Sequence, residues 1–325
     1  MRAIVVSQTG GPEVLQLTDV NPPKPGPGEL LVEVGAVGVN FIETYQRTGL
    51  YATDLPFTPG AEVAGHVLEV GGGVTDFRPG DRVATVNARG SYAEQVIVPA
   101  DRAVAVPDNV DVQTAAAVML QGMTAHYLTQ STYPIKAGET ALVHAAAGGM
   151  GLLLTQLVKA AGGKVIGTVS SDAKAKLAAE AGADEVIRYD QVAGEELAAE
   201  VLRRNGGHGV HVAYDGVGKD TFEASLGALR ARGMLVSFGN ASGPVPPVAP
   251  LRLSQAGSLF LTRPTLVNYI VSRQELEWRA SDLFRWIQDG TLTVRVGATF
   301  PLGQAGEAHE ELESRRTTGK LLLVP

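Results

Sequence analysis

The residues best suited to chemistry lie in one glycine-rich segment, residues 145–151, which reads Ala-Ala-Ala-Gly-Gly-Met-Gly. Small side chains let the backbone approach a phosphate closely, and a helix that begins there directs its N–H groups at the anion. Ala146, Gly148 and Gly151 occupy the three small-residue positions of a dinucleotide-binding fingerprint, and a strand-like run from Thr140 precedes them. We therefore expect the segment to bind a pyrophosphate through Ala147, Gly148, Gly149, Met150 and Gly151.

The end of the next strand indicates which dinucleotide is bound. NAD sites usually place an acidic residue there, where its carboxylate binds the ribose 2′-hydroxyl. In this chain the strand Lys164–Val169 ends with Ser170 and Ser171, and Lys174 follows within one helical turn. A lysine and two hydroxyls can bind a 2′-phosphate, which a carboxylate would repel. We predict NADPH as the cofactor, with Ser170 and Lys174 as ligands, and interpret Asp172 as a helix N-cap.

Strand-like runs at regular intervals must position this segment. They begin near Thr140, Lys164, Glu185, Val210, Gly233 and Ser258. Helical stretches lie between most of them, and Gly162 and Gly163 end the first helix. The starts of successive strands are therefore 21 to 25 residues apart. This spacing is typical of right-handed βαβ crossovers. The fold class predicted is α/β, with a doubly wound six-stranded parallel (Rossmann) sheet.

The rest of the chain follows a different pattern. Residues 1 to about 106 read as short strands separated by glycine- and proline-rich turns, which indicates a small barrel or sandwich. The C-terminal tail is expected to contain both helices and strands. The helices are predicted near Ser281–Gln288 and Glu307–Arg316, and the strands near Thr291–Phe300 and Leu321–Val324. We expect this tail to pack on the N-terminal part. The predicted domains are therefore 1–121 with 264–325, β-rich, and 122–263, which binds NADPH.

Composition excludes several classes of protein. The 325 residues are 45% hydrophobic, contain no cysteine and carry a net charge of −7. Disulfides, thiolate zinc sites, iron–sulfur clusters and a cysteine nucleophile are thus excluded. Because basic residues form no block and no apolar run approaches a membrane span, we expect no nucleic-acid partner, no membrane insertion and a cytoplasmic location.

Six short motifs are spread along the whole chain. They are residues 10–15 (GGPEVL), 38–42 (GVNFI), 59–62 (PGAE), 79–83 (PGDRV), 145–151 and 237–240 (SFGN). Together they resemble the medium-chain dehydrogenase/reductase superfamily and, within it, the zinc-free quinone oxidoreductases similar to zeta-crystallin. The resemblance implies a Rossmann domain inserted into a β-rich, GroES-like barrel domain, and an NADPH:quinone oxidoreductase.

The resemblance also implies that the catalytic metal is missing. Zinc-dependent relatives bind zinc with a cysteine at the position of Asn40 and a histidine at the position of Ala61, whereas Glu62 is retained here. A simple ketone needs a Lewis acid or a positioned proton donor, but a quinone forms an aromatic product and needs chiefly a well-placed nicotinamide. We interpret Glu62 as a buried, hydrogen-bonded residue or as one that orients loops, and His208 and His211 as loop and strand residues.

The resemblance also implies which residues of this chain contact the cofactor and the substrate. Asn40, Tyr45 and Tyr51 match positions that border the nicotinamide and the substrate slot. Further cofactor contacts are implied for Thr124, Tyr189, Phe238, Gly239, Asn240 and Arg315. Alternative interpretations make Tyr45 and Tyr51 packing residues, Thr124 a helix-start residue and Arg315 a solvated surface residue.

The sequence also bears on the oligomeric state of the protein, and it leaves more than one activity open. The apolar last strand, Ser258–Thr262, would form an unprotected sheet edge, and relatives pair it with its twin, so we expect a homodimer. The main rival activity is NADPH-dependent reduction of activated alkenes such as enones and 2-alkenals, for which Tyr45 or Tyr51 would donate a proton. A non-catalytic NADPH-binding or RNA-binding protein is the other alternative.

Overall fold

The computed structural model describes residues 1–192, 195–314 and 316–325. The chain divides into two compact units. Unit 1 comprises Met1–Met123, Ile270–Gly290 and Val294–Pro325, and unit 2 comprises Thr124–Tyr269 and Thr291–Thr293. The predicted domain boundaries lie after residues 121 and 263. In the described part of the chain, no helix is both long and apolar enough to cross a membrane.

Most strands in the described part of the chain are short, and the longest of them is β3 in unit 1. They are β1 (Arg2–Val5), β2 (Gln16–Asp19), β3 (Glu29–Val39), β4 (Val63–Val70), β5 (Arg82–Thr85), β6 (Gln95–Pro99), β7 (Val104–Ala105), β8 (Thr140–Val143), β9 (Lys164–Val169), β10 (Glu185–Arg188), β11 (Val210–Asp215), β12 (Leu229–Ser237), β13 (Phe260–Thr262), β14 (Val296–Pro301) and β15 (Lys320–Val324).

The α-helices lie mainly in unit 2 and in the tail. They are α1 (Phe41–Arg47), α2 (Val112–Tyr127), α3 (Gly149–Ala160), α4 (Asp172–Glu180), α5 (Glu195–Arg204), α6 (Phe222–Gly227), α7 (Pro250–Gln255), α8 (Arg273–Gln288) and α9 (Ala305–Glu313). A π-helical segment, Leu128–Thr132, continues α2. Short 3₁₀ turns occupy Pro12–Val14, Ala100–Arg102, Leu266–Tyr269 and Leu302–Gln304.

Unit 2 contains the predicted doubly wound sheet. Within the described residues its six strands follow the order β10-β9-β8-β11-β12-β13, and every pairing is parallel. The strand order changes direction between β8 and β11, and ligands of such sheets bind at the carboxyl ends of the strands beside that point. All four side chains of β8 are buried, as expected for a strand covered on both faces. The predicted fold class is therefore confirmed.

Unit 1 is built around the long strand β3, which pairs with β4, β6 and the C-terminal β15. The sheet order is β14-β15-β3-β4-β5-β7, with β6 also on β3. Valine side chains from β3 and its neighbours form the core of this unit, including Val32, Val34, Val37, Val63 and Val67. The tail thus supplies two strands of the same sheet, as expected, and β15 places its first residue, Lys320, beside the end of β3.

Several element boundaries differ from the expectation, and β14, for example, begins at Val296 and not near Thr291. Helix α8 begins at Arg273, well before the predicted start near Ser281, because Ser272 caps it and Glu275 completes a capping box. Strand β12 begins at Leu229, earlier than the predicted Gly233, and Arg232 within it has a φ of 60°. The difference in β12 lies at the amino end of that strand, away from the carboxyl edge of its sheet.

Candidate cofactor and substrate site

In unit 2 the glycine-rich segment forms a tight turn between β8 and α3. Ala145 has a φ of 50°, in the left-handed region that an alanine seldom adopts. The turn closes with a hydrogen bond from Gly148 N to Ala145 O, 2.8 Å long, and Gly148 is the N-cap of α3. Since the first N–H groups of a helix have no acceptor within it, those of Gly149, Met150 and Gly151 suit an anion.

Gly151 brings the helix close to the turn. A Cβ atom at this position would lie 2.3 Å from the carbonyl oxygen of Ala145 and 2.5 Å from the Cα of Ala146. Both neighbours are backbone atoms, which cannot move aside independently. The third small residue of the fingerprint is therefore required by helix–strand packing.

Next to this turn, the ends of β9 and β10 bring together three predicted ligands. Tyr189 N donates to Val169 O at 3.0 Å, which places Tyr189 alongside the end of β9, where Ser170 follows. Lys174 lies in the first turn of α4. This end of the site therefore combines a hydroxyl, an ammonium and a phenol, which are suitable partners for a phosphate.

The interpretation of Asp172 as an N-cap is wrong. Ser171 caps α4, its side chain accepting from Lys174 N, and Asp172 is the first residue of the helix. The Asp172 carboxylate instead binds the guanidinium of Arg188 at 2.6 Å. Asp190 holds the same guanidinium, so two carboxylates offset the charge of Arg188.

The residues after β12 complete the carboxyl edge of the sheet. Phe238 N donates to Asp215 O at 2.8 Å. A Cβ atom on Gly239 would lie 2.3 Å from Gly216 O, so the two backbones are in close contact. Asn240 follows in this turn, and Thr124, in α2, is nearly buried with 9% of its surface exposed.

A buried polar chain that no sequence pattern indicated supports this edge. His144, which follows β8, lies 2.9 Å from Thr168 Oγ1 and 2.9 Å from Ser225 Oγ, and Ser225 Oγ donates to Asp215 at 2.8 Å. Burial lowers the pKa of His144, so the ring stays neutral. These four residues are far apart in sequence, and they join β8, β9, β11 and α6 directly beneath the phosphate turn.

In unit 1, Asn40 lies at the junction of β3 and α1 and is nearly fully buried. Its Nδ2 donates to Gly38 O at 3.2 Å and to Glu62 Oε2 at 2.8 Å. Its Oδ1 accepts from Lys320 Nζ at 2.5 Å. Its backbone N–H donates to Glu43 Oε2 at 2.8 Å, so the backbone N–H and both polar atoms of the side chain have defined partners.

Glu62 is completely buried and lies at the centre of this arrangement. Its Oε2 forms an ion pair with Lys320 Nζ at 2.6 Å, and its Oε1 accepts from Leu120 N in α2 at 2.6 Å. The interpretation of Glu62 as a buried, hydrogen-bonded residue is confirmed. Lys320 was not foreseen, because a lysine that opens an apolar strand gives no local sign of burial.

Two further groups surround this pair. Burial raises the pKa of Glu43 from 4.5 to about 8, although the Lys320 ammonium opposes the rise, and Glu43 Oε1 has no hydrogen-bond partner. At the C-terminal end of α1, Arg47 binds Glu313 at 3.0 Å and His309 Nδ1 at 3.1 Å. The spacing of Asn40 and Glu43, typical of a capping box, could have indicated Glu43.

An aromatic group lies along α1 and the turn after it. The rings of Tyr45 and Tyr51 meet edge to face, with 5.3 Å between their centroids, and Phe41 lies 6.2 Å from Tyr45. Tyr51 is 41% exposed. The structure therefore brings together the two tyrosines predicted for the substrate slot, with one ring open to solvent.

The predictions for Arg315 and for metal binding can be compared only with the described residues. Arg315 lies outside the described residues. Across residues 1–192, 195–314 and 316–325, no group of three or more His, Cys, Asp or Glu side chains is arranged to hold a metal ion. His211 is engaged elsewhere, because its Nδ1 accepts from Thr140 N at 3.0 Å.

The chain is similar to known proteins over its whole length. Residues 26–108 match the family model "Alcohol dehydrogenase GroES-like domain", and residues 149–287 match "Zinc-binding dehydrogenase". A quinone oxidoreductase of Pseudomonas aeruginosa is 48% identical over 318 residues, 97% of each chain. A 2-haloacrylate reductase of a Burkholderia species is 40% identical over 331 residues, 99% of this chain and 98% of that one. The crystal structure of Escherichia coli quinone oxidoreductase complexed with NADPH superposes with a TM-score of 0.97, at 45% identity over 100% of both chains.

Proposed function

The chain belongs to the quinone oxidoreductase family of medium-chain dehydrogenases/reductases, and we propose that it is an NADPH-dependent, zinc-independent quinone reductase. The observation that carries the proposal is the phosphate turn after β8, with Ser170, Lys174 and Tyr189 following the ends of the strands β9 and β10, while the nearby carboxylates of Asp172 and Asp190 are paired with Arg188. One relative of known structure that matches the whole chain, the Escherichia coli quinone oxidoreductase, is a complex with NADPH.

In unit 2 we assign the cofactor contacts as follows. The backbone of residues 147–151 binds the pyrophosphate, and the side chains of Ser170, Lys174 and Tyr189 bind the 2′-phosphate. The turn that contains Phe238, Gly239 and Asn240 lies along the same carboxyl edge, and Thr124 is assigned to the nicotinamide half. When bound, NADPH supplies the hydride.

In unit 1 we assign Asn40, Tyr45 and Tyr51 to the nicotinamide and the substrate. A quinone that accepts a hydride forms an aromatic product, which needs little stabilisation of negative charge beyond a proton from water or a tyrosine. The edge-to-face pair of Tyr45 and Tyr51 offers aromatic surface against which a flat substrate can stack. This match favours a quinone over a simple ketone.

Reduction of an activated alkene is the second candidate, because a 2-haloacrylate reductase is 40% identical to this chain. Hydride then goes to one carbon, and a proton must reach its neighbour, so a positioned donor becomes essential. Changing both Tyr45 and Tyr51 to Phe should spare quinone turnover and abolish enone turnover. Loss of both activities to the same extent would show that the tyrosines position either substrate instead.

The deciding experiment follows NADPH absorbance with a panel of ortho- and para-quinones, enones and aldehydes. We expect turnover of quinones and none of simple aldehydes. Turnover of enones alone would assign the protein to the second candidate. NADPH binding without any turnover would favour a non-catalytic role.

We also propose a homodimer that pairs the β13 strands of two copies. Strand β13 is the last in the sheet order, and Phe260 is 57% exposed on it, a combination that invites pairing with a second chain. Light scattering at micromolar concentration should give the dimer mass, and a monomer would contradict this assignment. The cytoplasmic location and the absence of a nucleic-acid partner stay predictions.

A further inference from the structure

The name of the matched dehydrogenase family implies zinc, but among the described residues of unit 1 the side chains at the matching positions do not suit zinc. Asn40 and Ala61 hold the positions at which zinc-dependent relatives have ligands, and Ala61 has no ligand atom. Asn40 Oδ1 and the adjacent Glu62 Oε2 both bind the Lys320 ammonium, at 2.5 and 2.6 Å. A divalent ion would have to share these oxygens with a positive charge.

We propose that Lys320 is a built-in cation, which takes the place of a metal in organising this site and acts as a positioning residue for Asn40. The inference rests on the proposed function, in which Asn40 borders the nicotinamide. Asn40, Glu62 and Lys320 are called the ammonium site below.

The charges of the ammonium site fix which way the Asn40 amide faces. Its oxygen lies against the Lys320 ammonium, and its nitrogen donates to the Glu62 carboxylate and to Gly38 O. A reversed amide would direct two N–H groups at an ammonium and its oxygen at a carboxylate. Both contacts would be repulsive, and burial would strengthen the repulsion.

The backbone is shaped to admit this ion pair. A Cβ atom on Gly38 would lie 1.9 Å from Glu62 Oε2 and 2.9 Å from Lys320 Cε, so a glycine at this point of β3 leaves room for both side chains. The pairing of β15 with β3, Leu321 opposite Val39, carries Lys320 to this position. Leu120 N in α2 completes the carboxylate's partners. Four separate segments of unit 1, which contribute Asn40, Glu62, Leu120 and Lys320, therefore converge on one ion pair.

The test compares Lys320→Met with the double variant Lys320→Met/Glu62→Gln. The single change leaves a buried carboxylate without its counter-ion, so it should lower the melting temperature strongly. The double change removes both charges and should restore most of the melting temperature. Lys164→Met is the matched control, because Lys164 also opens a strand but is exposed.

Kinetics then separate positioning from stability. In the folded double variant we expect kcat to fall about 10²-fold, since a misplaced contact costs that much, while the Kd for NADPH changes less than about threefold. Wild-type kcat in the double variant would overturn the proposal, because Lys320 would then serve stability alone. A rise of similar size in the Kd for NADPH, with unchanged kcat, would overturn the proposal as well.

A metal measurement tests the proposal without using activity. Wild-type protein dialysed against Zn²⁺ and then against buffer should retain substoichiometric zinc, and its melting temperature should be insensitive to chelators. Stoichiometric zinc that is lost in Asn40→Ala would show that a metal can displace Lys320 and would overturn the proposal. An inactive wild-type protein with these same metal and melting results would instead count against the proposed function only.

Discussion

The ring of His309 stands edge-on to that of Tyr92, and its Nε2 atom lies 3.0 Å from the Tyr92 hydroxyl. The other ring nitrogen lies 3.1 Å from Arg47 Nη1. Because a guanidinium only donates, Nδ1 must accept, and Nε2 carries the proton and donates to Tyr92. Burial lowers the pKa of His309 to about 3, and the neighbouring Arg47 lowers it further still, so the neutral ring is the form that fits.

Acid should therefore destabilise the protein through His309. The pKa is about 3 in the folded protein and near 6.5 in the unfolded chain, so the unfolded chain binds more protons between these values. Stability from this group is complete above pH 6.5 and is lost as the pH falls towards 3, at up to about 1.4 kcal/mol per pH unit. Urea titrations should show a flatter pH dependence for His309→Gln. The exposed His208→Gln serves as the control and should behave like the wild type.

Glu43 should produce the opposite trend. Its pKa is about 8 when folded, raised by burial and by Glu62 against the opposing Lys320, and 4.5 in the unfolded chain. The folded protein binds the extra proton, so this stability is complete below pH 4.5 and is lost as the pH rises through 8.

The variant Glu43→Gln resembles the protonated acid and keeps an oxygen for Asn40 N. We expect it to match the wild type at pH 5 and to be more stable at pH 8.5, by on the order of a few kcal/mol. Urea titrations at the two pH values measure the difference. A large loss of stability already at pH 5 would mean that Glu43 is ionised in the folded protein.

Local patterns predicted the elements that depend on neighbours in sequence. The strand–turn–helix at Ala145–Gly151 and the parallel sheet follow from residue spacing, and both are present. The error at Asp172 is a shift of one residue in the position of the N-cap of α4. Ser171 and Asp172 are both good N-caps, and in the structure Ser171 takes the cap while Asp172 pairs with Arg188. No local rule contains that contact.

The centre of unit 1 could not be predicted in this way. Lys320 reaches Asn40 across 280 positions of the chain and Glu62 across 258. Its burial depends on a strand pairing that joins the C-terminus to β3. The resemblance identified Asn40 and Glu62 as positions of interest, but only the folded structure shows which charge they bind. His309, between Arg47 and Tyr92, was missed for the same reason.

Cofactor preference provides the next prediction. Lys174→Ala removes an ammonium from the proposed 2′-phosphate site, and a charge-assisted contact contributes about 1.5–3 kcal/mol. We expect NADPH affinity to fall by about one to two decades, whereas NADH affinity stays nearly constant. Quenching of protein fluorescence measures both dissociation constants.

The control for this change is Lys176→Ala on the same helix. Lys176 is 80% exposed and lies 3.9 Å from Glu180, within its own helix, so its loss should alter neither affinity. Equal affinities of the wild type for NADPH and NADH would contradict the assignment of the 2′-phosphate site.

The contact between Gly151 and Ala145 gives the last prediction. In Gly151→Ala the new Cβ would lie 2.3 Å from Ala145 O, so α3 must shift away from the phosphate turn. Overpacking of this kind costs about 1–3 kcal/mol, and the shift also carries the helix N–H groups away from the pyrophosphate. We expect a lower melting temperature together with weaker binding of both NADPH and NADH, because the pyrophosphate is common to them. In Gly148→Ala the nearest atom, Ala145 O, would be 3.2 Å away, a milder overlap, and the melting temperature should fall less than in Gly151→Ala. A Gly151→Ala protein with unchanged melting and unchanged binding would show that the turn tolerates the displacement and that its close packing is not needed for the cofactor.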